Sequence, residues 1–272
     1  MSALMRHIIA CRNAVLPGGR IRLFIGTQPV GWLAPDTTRA LAGLGVPAGP
    51  DGITLTPGEL AALSRAMAES GRYRWRDEAF DVRAVPDGPV LAQLDRGALP
   101  AFGVRAEGVH LNGLVQRPGG PFMWVARRAA NKLLDPGKLD HIVGGGIPAG
   151  LSPLETLAKE AAEEAGLPAS LVAQARRVAI IGYAMDRPEG LRRDRLYCYD
   201  LDLPPDFVPH PRDGEVEAFQ LWPLDRVLDT VRTTDEFKFN VNLVLIDLFL
   251  RHGMVSLAEA APLRVALQAP GN

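Results

Sequence analysis

The segment GGGIPAGLSPLETLAKEAAEEAGL, residues 144–167, limits what this chain can fold into more than any other. Three consecutive glycines lead into a run of helix formers that places Glu160, Glu163 and Glu164 within about one turn. Side chains three and four positions apart are neighbours on a helix, so like charges at that spacing cost stability unless something positive lies between them. A divalent metal ion is the simplest such group. On a wheel of about 100° per residue, Leu154, Leu157, Ala158, Ala161 and Ala165 form one apolar stripe, and the glutamates share a neighbouring face. The pattern predicts a helix that buries one side and presents carboxylates to a cleft.

A chain of 272 residues, 47% of them hydrophobic, is long enough for one large or two modest domains with real cores. Thirty basic residues against thirty-one acidic ones leave a formal net charge of -1. That balance excludes the broad basic footprint of a nucleic-acid binder and leaves a small anionic substrate. Cys11 and Cys198 are far apart and give neither a disulfide framework nor zinc spacing, which points to the cytoplasm. The first residues lack the apolar run of a secretory signal, and VNLVLIDLFL is interrupted by Asn242 and Asp247, so no membrane association is expected.

Residues 21–35 read as two short strands around a turn near Gln28 and Pro29. TPGELAALSRAMAESG predicts a helix capped by Thr56, opened by Pro57 and stopped by Gly71. Proline and glycine punctuate VPDGPV and RGALPAFG, and a strand-rich pattern begins near GVHLNGLVQ. The domain boundary is therefore expected between residues 105 and 115. PFMWVARRAA reads as a strand with Phe122, Trp124, Ala126 and Arg128 on one face and Met123, Val125 and Arg127 on the other. Only one of the two arginines then faces a given cleft. VAIIGYAM, RLYCYDLDL and VEAFQLWPL are further strands, and NVNLVLIDLFLRHG is a closing helix stopped by Gly253. Strands and helices mix without strict alternation, which predicts an α/β sandwich.

Magnesium takes oxygen ligands, typically a few carboxylates together with waters and phosphate oxygens. Glu160, Glu163 and Glu164 beside a glycine loop suit it. Read alone, such a cluster is an ordinary solvated helix face. Its surroundings decide otherwise: the segment resembles the Nudix box, G-x5-E-x7-R-E-U-x-E-E-x-G-U, where U is aliphatic. Gly145, Glu160, Ala161, Glu163, Glu164, Gly166 and Leu167 fall at its spacings, with Lys159 at the arginine position. The departure is Leu151, which stands where the box has its first glutamate. Glu155, four residues before Lys159, is the local pairing partner expected for that lysine.

The wider stretch from WVARRAANKLL to the box, with FGVRAEGVHLNG before it and DGEVEAFQLWPLDRV to EFKFNVNLVLIDLFLRHG after it, is similar to the thiamine pyrophosphokinase-associated branch of Nudix proteins. The resemblance implies a Nudix α/β/α sandwich with a mixed sheet over residues 113–255, a small α+β N-terminal domain over 1–112 and a C-terminal tail over 256–272. It implies Mg2+, with Mn2+ as a substitute, held by Glu160, Glu163 and Glu164. The implied reaction is hydrolysis of thiamine diphosphate or its oxidised analogues to the monophosphate and phosphate. ADP-ribose, NADH, nucleotides, or binding without cleavage are the alternatives. Glu163 and Glu164 are the candidate bases, and Lys159 joins them as a catalytic residue.

Arg127, Arg128, Lys132 and Lys138 precede the box and are candidate phosphate contacts, together with Gly145 in the loop. Flat cationic rings call for an aromatic wall, drawn from Trp32, Trp75, Trp124, Tyr183, Tyr197 and Trp222, although core packing is the commoner role for each. His7, His110, His141, His210 and His252 lack metal-ligand spacing, and His141, just before the loop, is read as structural. The basic run RPEGLRRDRLY is read as solvated. An isomerase similar to isopentenyl-diphosphate isomerase would need a catalytic cysteine near the box, and neither cysteine is there. The N-terminal domain has three roles open to it: closing over the site, supplying the aromatic wall, or pairing two copies as a homodimer.

Overall fold

Residues 2–269 are described by the structure, a computed structural model. After helix α1 (Met5–Cys11), an N-terminal unit is built from β1 (Ile21–Ile25), β2 (Gln28–Leu33), α2 (Pro35–Gly43), β3 (Gly52–Leu55), α3 (Pro57–Glu69), β4 (Ala79–Val82), β5 (Ala92–Asp95) and α4 (Leu99–Phe102). Its strands form a three-stranded sheet in the order β2-β1-β3 and a separate β4-β5 hairpin. The β1-β2 turn lies at Gly26 and Thr27, ahead of the expected Gln28-Pro29, because Gly26 takes a positive φ of 59°. Thr56 and Glu59 form a reciprocal capping box at the start of α3, and Leu60, Ser64 and Met67 bury one face of it at helical spacing.

The second unit contains β6 (Arg105–Arg117), β7 (Gly120–Arg128), β8 (Leu139–Asp140), β9 (Val143–Gly146), α5 (Pro153–Ala165), α6 (Ala169–Val172), β10 (Arg176–Arg187), β11 (Gly190–Asp202), β12 (Val216–Pro223), α7 (Leu224–Thr233), α8 (Val241–Arg251) and α9 (Leu257–Gln268). The main sheet runs β10-β11-β6-β7-β12, with β8 on β7 and β9 on β6. Strands β11 and β6 are parallel and the other pairs antiparallel, so the sheet is mixed. One face packs on α5 through Val109, Leu111, Trp124, Leu157 and Ala161. The other packs on α1, α7, α8 and α9 through Met123, Val125, Val227, Leu245 and Leu263. This is the expected α/β/α sandwich, and the faces assigned to Met123, Trp124 and Val125 follow the strand alternation.

The expected boundary after residue 112 falls inside β6, which runs unbroken from Arg105 to Arg117. Ladder bonds to β11 begin at Arg105, so the break in structure lies after α4. Helix α1, expected with the N-terminal domain, instead buries Leu4, Ile8 and Cys11 in the core around α8. The expected tail is largely helix α9, seated in that same core by Leu263 and Leu267. No described helix is long and apolar enough to cross a membrane.

The two units touch beside the glycine loop. Ala149 donates its N–H to the Ala79 carbonyl on β4 at 2.7 Å, and Gly150 donates to Asp81 Oδ2 at 3.3 Å. A second junction lies at the β10-β11 turn, where a Cβ on Gly190 would stand 2.4 Å from the Pro100 carbonyl oxygen of α4.

Candidate active site

Helix α5 begins where the sequence can start a helix: Ser152 accepts the Glu155 N–H, Glu155 Oε2 accepts the Ser152 N–H at 2.8 Å, and Pro153 occupies the first helical position. It ends at Gly166 in the left-handed region, φ 65°. The Ser152→Ala variant is expected to lose about 1 kcal/mol of stability, and Ser152→Gly only a few tenths, in urea unfolding followed by circular dichroism. Use of Glu155 in the cap corrects its expected pairing with Lys159. Lys159 reaches forward instead, to Glu163 at 2.9 Å and Glu160 at 3.2 Å, and these carboxylates, Glu163 first, push its pKa up to about 12.

The buried stripe is also rotated from the wheel reading. Leu154 is 58% exposed, whereas Thr156, Leu157, Ala161, Glu164 and Ala165 are buried. Leu151, in place of the first box glutamate, packs its side chain against the apolar cluster under α5. Burying Glu164 brings it against the loop, where its Oε2 accepts the Gly144 N–H at 2.9 Å. Glu160 lies over Gly145 so closely that a Cβ there would stand 2.6 Å from the Glu160 Cδ, so any side chain here would have to move the Glu160 carboxylate.

Electrostatics follow from that crowding. Burial raises the Glu164 pKa well above its ordinary value of 4.5; the Gly144 N–H opposes the rise, and Asp140, Glu160 and Glu215 add to it. Burial also raises Glu160, against the pull of Lys159. Glu164 shares its position with two carboxylates that the sequence reading missed: oxygens of Glu164, Asp213 and Glu215 all lie within 4.8 Å of one another. Asp213 Oδ1 accepts the Glu215 N–H at 2.8 Å, which fixes the turn leading into β12. Burial pushes Glu215 up, but its ion pair with Lys132 outweighs this and its pKa is lowered. The signal was present in DGEVEAF, an acidic run just before a strand, yet about fifty residues separate it from the helix it joins.

A set of hard oxygen donors in which carboxylates outnumber the cations paired to them, Lys132 and Lys159, fits Mg2+. Glu164, Asp213 and Glu215 would contribute from one side, with Glu160 and Glu163 on neighbouring turns of α5. A second cluster, His110, Asp140 and His141, has the donors of a metal site, but its carboxylate is taken up by cations and its two rings bond each other, which leaves His141 Nε2 buried without a partner among the described residues. His110 Nδ1 and His141 Nδ1 are hydrogen-bonded to each other at 3.0 Å, so one of them must carry the proton. Asp140 is held by Arg128 at 2.8 Å and Lys238 at 3.6 Å, cations that would repel an ion. Burial lowers both histidines, His141 to about 4, so they are neutral at pH 7.

The four basic candidates separate. Arg128 donates to Asp140 and to the Leu134 and Asp135 carbonyls, at 2.8, 2.8 and 3.1 Å. Arg127 donates to the Gly137 carbonyl at 2.8 Å, and Lys138 to the Asp235 carbonyl. Lys132 alone of the four is ion-paired to a carboxylate of the Glu164 trio, Glu215. Among the aromatic candidates, Trp124, Tyr183, Tyr197 and Trp222 are core residues; Trp32 and Trp75 are partly exposed and covered by Arg22 and Arg65 at 3.7 and 4.7 Å. The run RPEGLRRDRLY is not simply solvated: Arg187 and Arg192 stack on Phe239 at 4.7 and 5.7 Å and pair with Asp135, Glu189 and Asp194.

Among solved structures, the chain is similar to DR0079 from Deinococcus radiodurans, with TM-score 0.48 and 20% identity, covering 62% of this chain and 97% of that one. It is also similar to the NUDIX domain of Shewanella oneidensis NrtR complexed with ADP ribose, with TM-score 0.43 and 15% identity over 57% of this chain and 92% of that one. Nudix hydrolase 24, chloroplastic, of Arabidopsis thaliana is 42% identical over 180 residues, 66% of this chain and 49% of that protein. The uncharacterized protein YJR142W of Saccharomyces cerevisiae is 32% identical over 201 residues, 69% of this chain and 58% of that protein. The chain thus spans about half the length of the Arabidopsis relative. The NUDIX domain family matches residues 108–241, a span that holds the glycine loop, α5 and the acidic turn before β12. This chain therefore carries a domain of the NUDIX family over residues 108–241 and is similar to a protein named as a Nudix hydrolase.

Proposed function

We propose that this protein hydrolyses an organic diphosphate with the help of Mg2+, and that its substrate is thiamine diphosphate or an oxidised analogue, converted to the monophosphate and phosphate. The observation that carries the hydrolytic reading is the convergence of Glu164, Asp213 and Glu215 beside a loop that Glu160 overlies. Thiamine is favoured by the likeness of the flanking sequence to one Nudix branch. Glu160, Glu163 and Glu164 hold the ion in this reading, and Asp213 and Glu215 add oxygens. When bound, Mg2+ neutralises phosphate charge and acidifies a water for in-line attack.

The side chains divide the remaining work. Lys159, at the arginine position of the box, keeps Glu160 and Glu163 in place through its two ion pairs. Gly145 leaves space for Glu160. Lys132, next to Glu215, contacts a phosphate oxygen; Arg128 holds the loop ahead of the site, and Arg127 and Lys138 reach the phosphate only by giving up carbonyl partners. Of the two candidate bases we favour Glu164, which is buried against the glycine loop, whereas the Glu163 side chain is half exposed and paired to Lys159. Two buried, unbridged thiols, Cys11 and Cys198, suit the reducing cytoplasm that completes this reading; the word chloroplastic belongs to the Arabidopsis relative.

The test is phosphate or monophosphate release by the purified chain with Mg2+, across thiamine diphosphate, its oxo and oxy analogues, ADP-ribose, NADH and nucleoside triphosphates. Preference for the thiamine compounds is expected, abolished by EDTA. Turnover of nucleotides alone would replace the substrate assignment, and ligand binding without any turnover would replace hydrolysis with a binding role.

A further inference from the structure

Arg96 follows β5 in the N-terminal unit and reaches the edge of the carboxylate site by a short chain of contacts. The Gly146 end of the glycine loop is closed by Phe80: a Cβ on Gly146 would stand 2.5 Å from the Phe80 Cζ. The Arg96 guanidinium lies 5.9 Å from the centre of the same ring. Its backbone N–H donates to the Glu78 carbonyl and its Nη1 to Glu78 Oε2, both at 2.8 Å.

Its charge is held differently from that of its neighbours. Arg128 is buried with three partners, and Lys132 already neutralises a site carboxylate. The Arg96 side chain is 52% exposed, and its partner Glu78 lies on the same N-terminal unit rather than in the Glu164 trio. An exposed pair of this kind contributes about 0.2–1 kcal/mol, so an incoming phosphate can displace Glu78 at small cost. Two further arginines crowd the spot. Burial first, then Arg96 and Arg74, lower the Arg76 pKa. Asp95 accepts the Arg76, Glu78 and Gly97 N–H groups and so fixes this loop in shape. Asp95 and Glu78 share this loop with the three arginines, and a guanidinium suits two phosphate oxygens at once.

We propose that Arg96 is a substrate contact of the Nudix domain, binding an anionic oxygen of the diphosphate, so that the N-terminal unit completes the site it braces. The inference rests on the diphosphate reading, and its test is a binding measurement that needs no turnover. Calorimetric titration of the full chain with inorganic imidodiphosphate and Mg2+ is expected to show Arg96→Ala binding about tenfold or more weaker than wild type, the size of one charge-assisted hydrogen bond. The Arg96→Lys variant is expected to recover part of that loss, and Glu78→Gln, which frees Arg96, to bind at least as well as wild type. On whichever diphosphate is turned over, Arg96→Ala is expected to raise KM with kcat held within about twofold. Equal affinity of Arg96→Ala and wild type, or failure of wild type to bind the probe, would overturn the proposal. Binding that depends on Arg96 without turnover of any substrate would support it while removing hydrolysis; normal turnover with an unchanged KM in Arg96→Ala would do the reverse.

Discussion

The Glu164→Gln variant is expected to lose about 100-fold or more of Mg2+-dependent turnover while remaining folded, the scale of removing one group that stabilises transition-state charge. The amide oxygen can still accept the Gly144 N–H, so the loop keeps its hydrogen bond. Only the charge and the proton acceptor are removed. The linked stability effect has a definite sign. Burial raises the folded-state pKa of Glu164 above its ordinary 4.5, so its contribution is present at acidic pH and lost as pH rises through the raised value. In EDTA, wild type should therefore lose stability relative to the variant as pH rises above 4.5, in thermal melts from pH 4 to 8. Full turnover by the variant would remove Glu164 from the site. A variant less stable than wild type at pH 8 in EDTA would contradict the electrostatic account.

Arg128→Met is expected to cost about 3–5 kcal/mol in urea unfolding, because it leaves Asp140 buried with Lys238 as its remaining side-chain cation, 3.6 Å away. Burial alone would raise Asp140; Lys238 and Arg128 together outweigh it and hold the carboxyl well below its usual range. A lowered folded-state pKa contributes stability above the ordinary 3.8 that is lost on acidification, so the gap between variant and wild type should narrow below about pH 4. Arg128→Lys keeps the charge but cannot reproduce all the bonds to Leu134 and Asp135, and should fall between the two. A cost below 1 kcal/mol for Arg128→Met would mean that Asp140 is not the buried anion described here.

Local chemistry was legible in the sequence where neighbours in the chain decide it. Thr56 and Pro57 start α3, Gly253 follows α8 in the left-handed region, and alternation along β7 assigns Met123 and Trp124 to opposite faces. The glutamate helix was placed correctly, but its roll was not. Leu154 counted as apolar on the wheel, whereas packing on β6 and β9 turns Leu157 and Ala161 inward and leaves Leu154 in water. Contacts between distant segments were hidden for the same reason. Glu215 meets Glu164 only because β12 pairs with β7, and Lys138 finds the Asp235 carbonyl only because β8 reaches the segment before α8. Glu155 was open to two local partners, and the helix end took it as a cap before Lys159 could pair with it.

The three consecutive glycines of the loop each face a different neighbour: Gly144 the His110 ring, Gly145 the Glu160 side chain and Gly146 the Phe80 ring. A single methyl group therefore has three separate meanings across three adjacent codons. At the first it presses on a buried imidazole, at the second it displaces a proposed metal ligand, and at the third it wedges the two units apart. Mutational drift at these positions cannot be absorbed by one compensating change elsewhere, because the adjustments required lie in three different parts of the molecule.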